Sequence, residues 1–372
     1  MHLHHYALIA EQFAPFQRVL DIHEFGNGNI NDTYLVTLTT DEASQTEERH
    51  FVLQRINTQV FKQPRLIMQN MRTFTEHMRK RARQEGHRWE MPRVILTCDG
   101  QDFFVDPQGN FWRAISYVHG ARSFETIKDT RLAYEVGYAL GTFQYLISDL
   151  PIEQLADTLE GFHIMPRYLQ GFDQAFSHNG HRSSAEVKYC LEFVEQRRAF
   201  AQVLESAREQ GRLKLRPVHG DPKVNNVMIQ EATGRAISLV DLDTVKPGLI
   251  HYDIGDCMRS GCNPLGEETE NWEVVRFDPD IGAAILEGYL TQARHFLTAD
   301  DYDYLFDSIR LLAFELGVRF FTDYLAGNVY FKVKHPRHNL QRALVQFKLT
   351  ESIEAYEADI RHIIQGMASS AL

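Results

Sequence analysis

Short runs rich in β-branched and aromatic residues recur along the first third of the chain, separated by turn material. "VLDIHEF" (19–25), "TYLVTLTT" (33–40) and "HFVLQRI" (50–56) have the alternation and composition of strands. "DEASQTEER" (41–49) reads as a charged hairpin connection. The content then changes to helical in "QPRLIMQNMRTFTEHMRKRAR" (63–83), with a basic end. "RVILT" and "FFVDPQGNFWRAISYV" (103–118) return to strands, with "DPQG" as a turn. This predicts a small, mostly antiparallel sheet carrying one helix. After "HGARSF", Leu132, Val136, Leu140, Phe143 and Ile147 recur at helical spacing and face a core. Residues 186–210, 283–296 and 302–325 read as further long helices. The pattern therefore predicts an α+β chain of two lobes, a sheet lobe over 1–113 and a larger, mostly helical lobe over 114–372. "MHLHHYALIAEQF" at the start reads as a frayed polar end, with His2, His4 and His5 carrying no role.

Composition narrows the class. The chain has 372 residues and 44% hydrophobic content, enough for a sizeable core. Its net charge of −11 argues against a nucleic-acid or anionic-membrane partner, either of which selects a basic patch. Cys98, Cys190, Cys257 and Cys262 lack paired CxxC spacing and read as reduced thiols, and a zinc site on the last two finds no second ligand pair. There is no secretory signal pattern and no run of 18 apolar residues, so a cytoplasmic location is expected.

The chemistry concentrates in "VHGDPKVNNVMIQ" (218–230). It places a carboxylate, Asp221, five positions before a side-chain amide, Asn226, between two apolar runs. Downstream, the apolar strand "SLVDLDTV" ends on Asp241. Turn formation explains Asp and Asn singly. It does not explain the spacing H-x-D-x-x-x-x-N followed by a third polar ligand on the next strand. Phosphoryl transfer from a nucleotide needs that set: one Asp to orient the attacking hydroxyl, and an Asn with a second Asp to hold Mg²⁺.

Upstream, "EFGNGNINDTYLV" (24–36) puts Gly26 and Gly28 between two strands, where backbone N–H groups can approach phosphates. Asn31 stands where protein kinases carry a third glycine, and no Walker A string is present. On the third strand the cation for the phosphates is read as Arg55, which alternation puts on one face with Phe51 and Leu53. Its acidic partner stays open, since Glu76 is the only acid between 63 and 80.

Taken with "DLDTVKPGL", "DIGDCMRSG" and "RFFTDYLAGNVYF", these strings resemble the aminoglycoside phosphotransferase/choline kinase superfamily, and within it the bacterial N-acetylhexosamine 1-kinases. The resemblance runs from residue 26 to 331. It implies a protein-kinase-like bilobal fold and an ATP- and Mg²⁺-dependent kinase acting on the anomeric hydroxyl of an N-acetylhexosamine. It implies Asp221 as catalytic base, Asn226 and Asp241 as metal ligands, and His219 and Asp253 as supports of the catalytic loop. Asp243, Arg319 and Tyr330 fall on the sugar side. Gly26, Gly28, Asn29 and Arg55, with the backbone at Tyr117 and Val118 in "AISYVHG", fall to the nucleotide. Asn29 departs from the family, whose members can carry His there.

Two other readings stay open. One is another small-molecule kinase of the superfamily, acting on an amino alcohol, amino acid or aminoglycoside. The other, from a different class, is a two-metal phosphohydrolase using "HGD", "DLD" and "HYDIGD", against which stand the glycine loop and the lack of clustered His. A pseudokinase would have lost the base or a metal ligand, and Asp221, Asn226 and Asp241 are all present. His163 in "EGFHIMPRYL" reads as a satisfied loop or core histidine.

Overall fold

The computed structural model describes residues 2–14, 18–26, 30–39, 49–179 and 184–369, and the chain divides into two compact units. The first comprises Met1–Gly120 with Glu153–Leu159 and Leu242–Thr244. It holds α1 (His2–Ala10), β1 (Val19–Glu24), β2 (Asp32–Leu38), β3 (Arg49–Ile56), α2 (Pro64–Glu85), β4 (Val94–Ile95), β5 (Phe104–Val105) and β6 (Phe111–Ser116). The strands form one antiparallel sheet in the order β1-β2-β3-β6-β4, with β5 also on β6. Period-two alternation sorts its side chains onto two faces. Tyr34, Val36, Phe51, Leu53, Trp112 and Ala114 pack with Ile9, Ala10 and Phe13 at the N-terminal end of the chain. The N-terminus is thus helical, not frayed: Ile9 and Phe13 bury apolar surface that an isolated nine-residue helix could not hold by propensity alone. The connection expected at 41–49, apart from Arg49, lies outside the described residues, as do Gly28 and Asn29.

The second unit holds β7 (Ala121–Arg122), α3 (Thr130–Ile147), α4 (Met165–Asn179), α5 (Ala185–Arg197), α6 (Val203–Glu209), β8 (Arg216–Val218), β9 (Val227–Gln230), β10 (Ala236–Leu239), β11 (Lys246–Gly248), α7 (Ile250–Gly261), α8 (Pro279–Ala293), α9 (Ala299–Asp303), α10 (Leu305–Ala326), α11 (His338–Ala355) and α12 (Glu357–Ser369). The core gathers α4, α5, α10 and α11 around Phe193, Phe314, Phe321 and Phe347. α3 and α8 pack backbone to backbone: a Cβ on Gly137 would lie 1.9 Å from Ile285 O, and one on Gly288 2.0 Å from Tyr134 O. The helix expected over 186–210 is broken by a 3-10 turn at Arg198–Phe200, which sets Phe200 against Phe314. Likewise 302–325 breaks at Tyr304. Small antiparallel ladders, β10-β9-β7 and β11-β8, run beside the helices and carry the polar loops. Among the described residues no helix is long and apolar enough to cross a membrane.

Candidate active site

Two short ladders bring together residues 219–226 and Asp241 in the second unit. β8 runs into His219 and Gly220, whose φ of 86° lies in the left-handed region that glycine occupies without strain. A 3-10 turn, Val224–Asn226, then leads into β9. β9 pairs with β10, and Val240 N donates to Asn226 O at 2.9 Å. Asn226 and Asp241, fifteen positions apart, are thereby brought to the same end of one hairpin. β11 returns to pair with β8, with Lys246 opposite Val218. Asp241 has φ 62°, a left-handed backbone that a non-glycine residue adopts at a cost of roughly 1–2 kcal/mol. Its side chain is exposed.

Asn226 is buried and its Nδ2 donates to Asp221 O at 2.7 Å, which leaves Oδ1 as the atom a cation would take. Lys223, to which the sequence reading gave no role, puts Nζ 2.8 Å from Asp221 Oδ2. Burial alone would raise the Asp221 carboxyl. The Lys223 charge and hydrogen bond, helped by His219 and Arg259, hold it below the usual carboxylate range. Burial likewise opposes the charge on Lys223, and Asp221 and Asp241 more than restore it. His219 is fully buried; Nε2 faces Val240 O at 3.1 Å and Nδ1 accepts from Asp221 N at 3.3 Å, so the ring is neutral. Burial pushes it down to about 4. Asp253, in the first turn of α7, accepts from His219 N at 2.9 Å, Gly220 N at 2.8 Å and the Gln144 amide of α3 at 2.9 Å. Burial pushes its carboxyl up to about 6 against those donors.

Arg319 of α10 is nearly buried in the same unit. Its guanidinium lies over Phe162 and Tyr168 at 5.2 Å and Phe331 at 5.7 Å, with Glu315 Oε1 at 3.7 Å. Tyr330 is 54% exposed and sets its ring edge-on to Phe331. One carboxylate gathers three consecutive backbone N–H groups of the loop that bears it, and Asn328, Asn339 and Arg342 hold its flanks. Asp323 accepts from the N–H groups of Val329 (2.8 Å), Tyr330 (2.8 Å) and Phe331 (2.9 Å), and from Asn339 Nδ2 (2.8 Å). His163 links this side of the unit to the catalytic loop, with Nδ1 2.9 Å from Glu315 Oε1 and Nε2 2.7 Å from Gly220 O.

In the first unit Arg55 and Arg113 lie on opposite faces of the sheet. Arg55 lies on the α1 face, bonded to Asp32 through Nε at 2.7 Å and 6.0 Å over Trp112. Its acidic partner comes from the neighbouring strand β2, and Glu76 instead lies 3.8 Å from Arg72. The buried cation on the α2 face is Arg113 of β6, opposite Gln54 in register. It binds Gln54 Oε1 (2.7 Å), touches Met71 of α2 and pairs with Asp243 at 2.5 Å. Asn31 donates to the same Asp243 carboxylate at 2.6 Å and accepts from Asn57 N at 2.9 Å. The asparagine in place of a third glycine is therefore a strut, and Asp243 faces Arg113 and Asn31 inside the first unit. Gly26 has φ 76°, Tyr117 stacks edge-on with Phe25, and Val118 is buried.

An antiparallel sheet unit followed by a mostly helical unit with a D-x-K-x-x-N loop and a downstream Asp is the α+β, kinase-like bilobal class of fold. Residues 21–299 match the profile of the phosphotransferase enzyme family (APH), and the chain belongs to that family. It is a small-molecule kinase of the aminoglycoside phosphotransferase/choline kinase superfamily. Similar solved structures include a microcompartment-associated aminopropanol kinase (15% identity, 95% of this chain and 98% of that one, TM-score 0.61). An aminoglycoside phosphotransferase from Alicyclobacillus acidocaldarius is 14% identical, with 96% of each chain covered and a TM-score of 0.58. A spectinomycin phosphotransferase in complex with ADP and spectinomycin is 12% identical over 100% of this chain and 99% of that one, with a TM-score of 0.52.

Proposed function

We propose that the protein transfers the γ-phosphoryl group of ATP to the anomeric hydroxyl of an N-acetylhexosamine, N-acetylglucosamine or N-acetylgalactosamine, giving the sugar 1-phosphate. The observation that carries this reading is the setting of Arg319. A guanidinium in an aromatic cage offers directional donors to a neutral, polyhydroxylated ring and repels an amine-bearing one. The carboxylates around it are charge-paired through one oxygen each, Glu315 Oε1 with His163 and Arg319, and Asp256 Oδ1 with Arg259 at 2.7 Å, while Glu315 Oε2 and Asp256 Oδ2 are buried without a hydrogen-bond partner. A polycationic acceptor needs unmatched carboxylates.

In this reading Asp221 orients the attacking hydroxyl and takes its proton, and Lys223 neutralises charge on the transferred group. Asn226 Oδ1 and the Asp241 carboxylate hold Mg²⁺, which supplies charge neutralisation at the phosphates. Among the described residues no group of three His, Cys, Asp or Glu is gathered for a metal. That suits Mg²⁺, which takes one or two carboxylates and completes its octahedron with phosphate oxygens and water. Tyr330 supplies a ring edge and hydroxyl to the sugar. The Gly26 turn and the backbone at Tyr117 and Val118 serve the nucleotide. Arg55 is tied to Asp32 through Nε and Nη2 on the α1 face.

A second reading, an amino alcohol or aminoglycoside acceptor, is favoured by the names of the similar structures. One experiment separates the two. Purified protein, ATP and Mg²⁺ are offered free hexosamines, methyl glycosides, aminopropanol, choline and kanamycin, and the product is assigned by phosphorus–proton NMR. Phosphate on C1 of the free hexosamine, with the methyl glycoside inert, supports the proposal. Turnover of a methyl glycoside or of the amines alone overturns it.

A further inference from the structure

His163 lies just before α4 with its ring buried and its backbone at φ 64°, a region that few non-glycine residues enter. Both ring nitrogens face oxygens. Gly220 O, at 2.7 Å, can only accept, so Nε2 carries a proton. Glu315 Oε1, at 2.9 Å, also faces Arg319, and this setting favours a proton on Nδ1 as well. The ring is then an imidazolium between an anion and a peptide carbonyl. His219, on the other side of Gly220, is neutral. The Gly220 peptide unit and its neighbour are therefore gripped from two sides, the N–H by Asp253 and the C=O by His163.

We infer that His163 is a positioning residue: through Gly220 O it fixes the peptide from which Asp221 projects, with Glu315 of α10 as its counter-ion. The inference rests on the proposed role of Asp221. It also ties the acceptor side to the catalytic loop, because the Glu315 that holds His163 is the one beside Arg319. The groups that face the ring are Glu315 from α10, Asp256 and the Tyr252 ring from α7, the neighbouring Phe162 ring, and Gly220 O from the loop. Burial alone would lower the pKa of the ring. Glu315, by charge and hydrogen bond, with Asp256 and Gly220 O, carries it above the ordinary value. A histidine raised in the folded state holds its full contribution below its unfolded pKa of about 6.5 and loses it as pH rises through the folded value. Turnover should fall on the alkaline side for this reason.

Two variants test the inference. His163→Asn accepts the left-handed backbone but is too short to bridge Gly220 and Glu315. His163→Gln retains one N–H donor for Gly220 O and carries no charge. With ATP, Mg²⁺ and N-acetylglucosamine, His163→Asn is expected to lose about 10²-fold in kcat, the scale of a small misplacement of a catalytic group. KM for ATP should hold, and hydrogen exchange in the peptide 216–226 should quicken at unchanged global melting. His163→Gln is expected to recover part of kcat and to lack the alkaline limb of the native profile. Native kcat and native exchange in His163→Asn, or an unchanged alkaline limb in His163→Gln, overturn the inference. If the native protein does not turn over the sugar, or Asp221→Asn keeps full activity, the functional reading fails instead. The exchange data and ¹⁵N NMR of the His163 ring then still decide: an imidazolium at neutral pH with exchange quickened by His163→Asn supports the clasp, and a neutral ring overturns it.

Discussion

Asp253 and Asp323 do the same job for two different loops. Each is a helix-borne, buried carboxylate that accepts consecutive backbone N–H groups, at 219–220 in one case and 329–331 in the other. Asp253 sits in the first turn of α7, where the helix dipole favours an anion, and its loop is buried, with His219 at 0% exposure. Asp323 sits in the last turn of α10, where the dipole opposes an anion, and its loop lifts Val329 (79% exposed) and Tyr330 into solvent. The first brace lies inside a network that includes Gln144 and the catalytic loop. The second leans on Asn339 and holds a surface loop. In both loops a single carboxylate gathers consecutive N–H groups that no helix or ladder pairs. What surrounds that carboxylate decides whether the loop is buried or stands in solvent.

The comparison can be broken at four points. Asp221→Asn removes the proton acceptor and keeps the shape, so kcat should drop about 10²–10⁴-fold with KM for ATP little changed. Equal loss of ATP binding would make Asp221 a metal ligand. Asp253→Ala strands buried donors at roughly 1–3 kcal/mol each, so thermal unfolding should shift down together with kcat. A variant that melts normally would show that water replaces the carboxylate. Arg319→Ala removes charge-assisted donors worth about 1.5–3 kcal/mol, and the sugar KM should rise some 10–100-fold while the ATP KM stays put. Smallest is Asp323→Ala, which frees the Tyr330 loop without removing a contact group. A few-fold rise in sugar KM at near-native melting is expected. A large loss of stability would put Asp323 in the same class as Asp253.

The alternation in 19–56 and the helical spacing after Leu132 were legible because large apolar side chains recur there at the period of the element itself. α7 was not, since all but one of its residues are buried and Asp253, Asp256 and Arg259 point inward, so no polar stripe marks it. Asp221, Asn226 and Asp241 could be read from spacing, because a hairpin and one backbone hydrogen bond join them within a short stretch of chain. The His163–Glu315 bridge spans 152 positions and the Arg113–Gln54 contact 59, distances at which no local pattern carries a signal. Alternation puts Arg55 on one face with Phe51 and Leu53, the face that Ile9, Ala10 and Phe13 cover. Lys223 stood in plain view, two positions after Asp221, and its role shows only once its ammonium is seen against the carboxylate.

The helix α1 has a practical consequence. It lays Ile9, Ala10 and Phe13 over the face of the sheet that carries Tyr34, Val36, Leu53 and Trp112. A shortened chain starting after Ala14 would present those side chains to water as one contiguous apolar patch, of the kind that drives self-association. Solubility of the sheet unit thus depends on the opening residues of the chain, and trimming them to tidy an expression product would leave the strands in register and the protein inclined to clump.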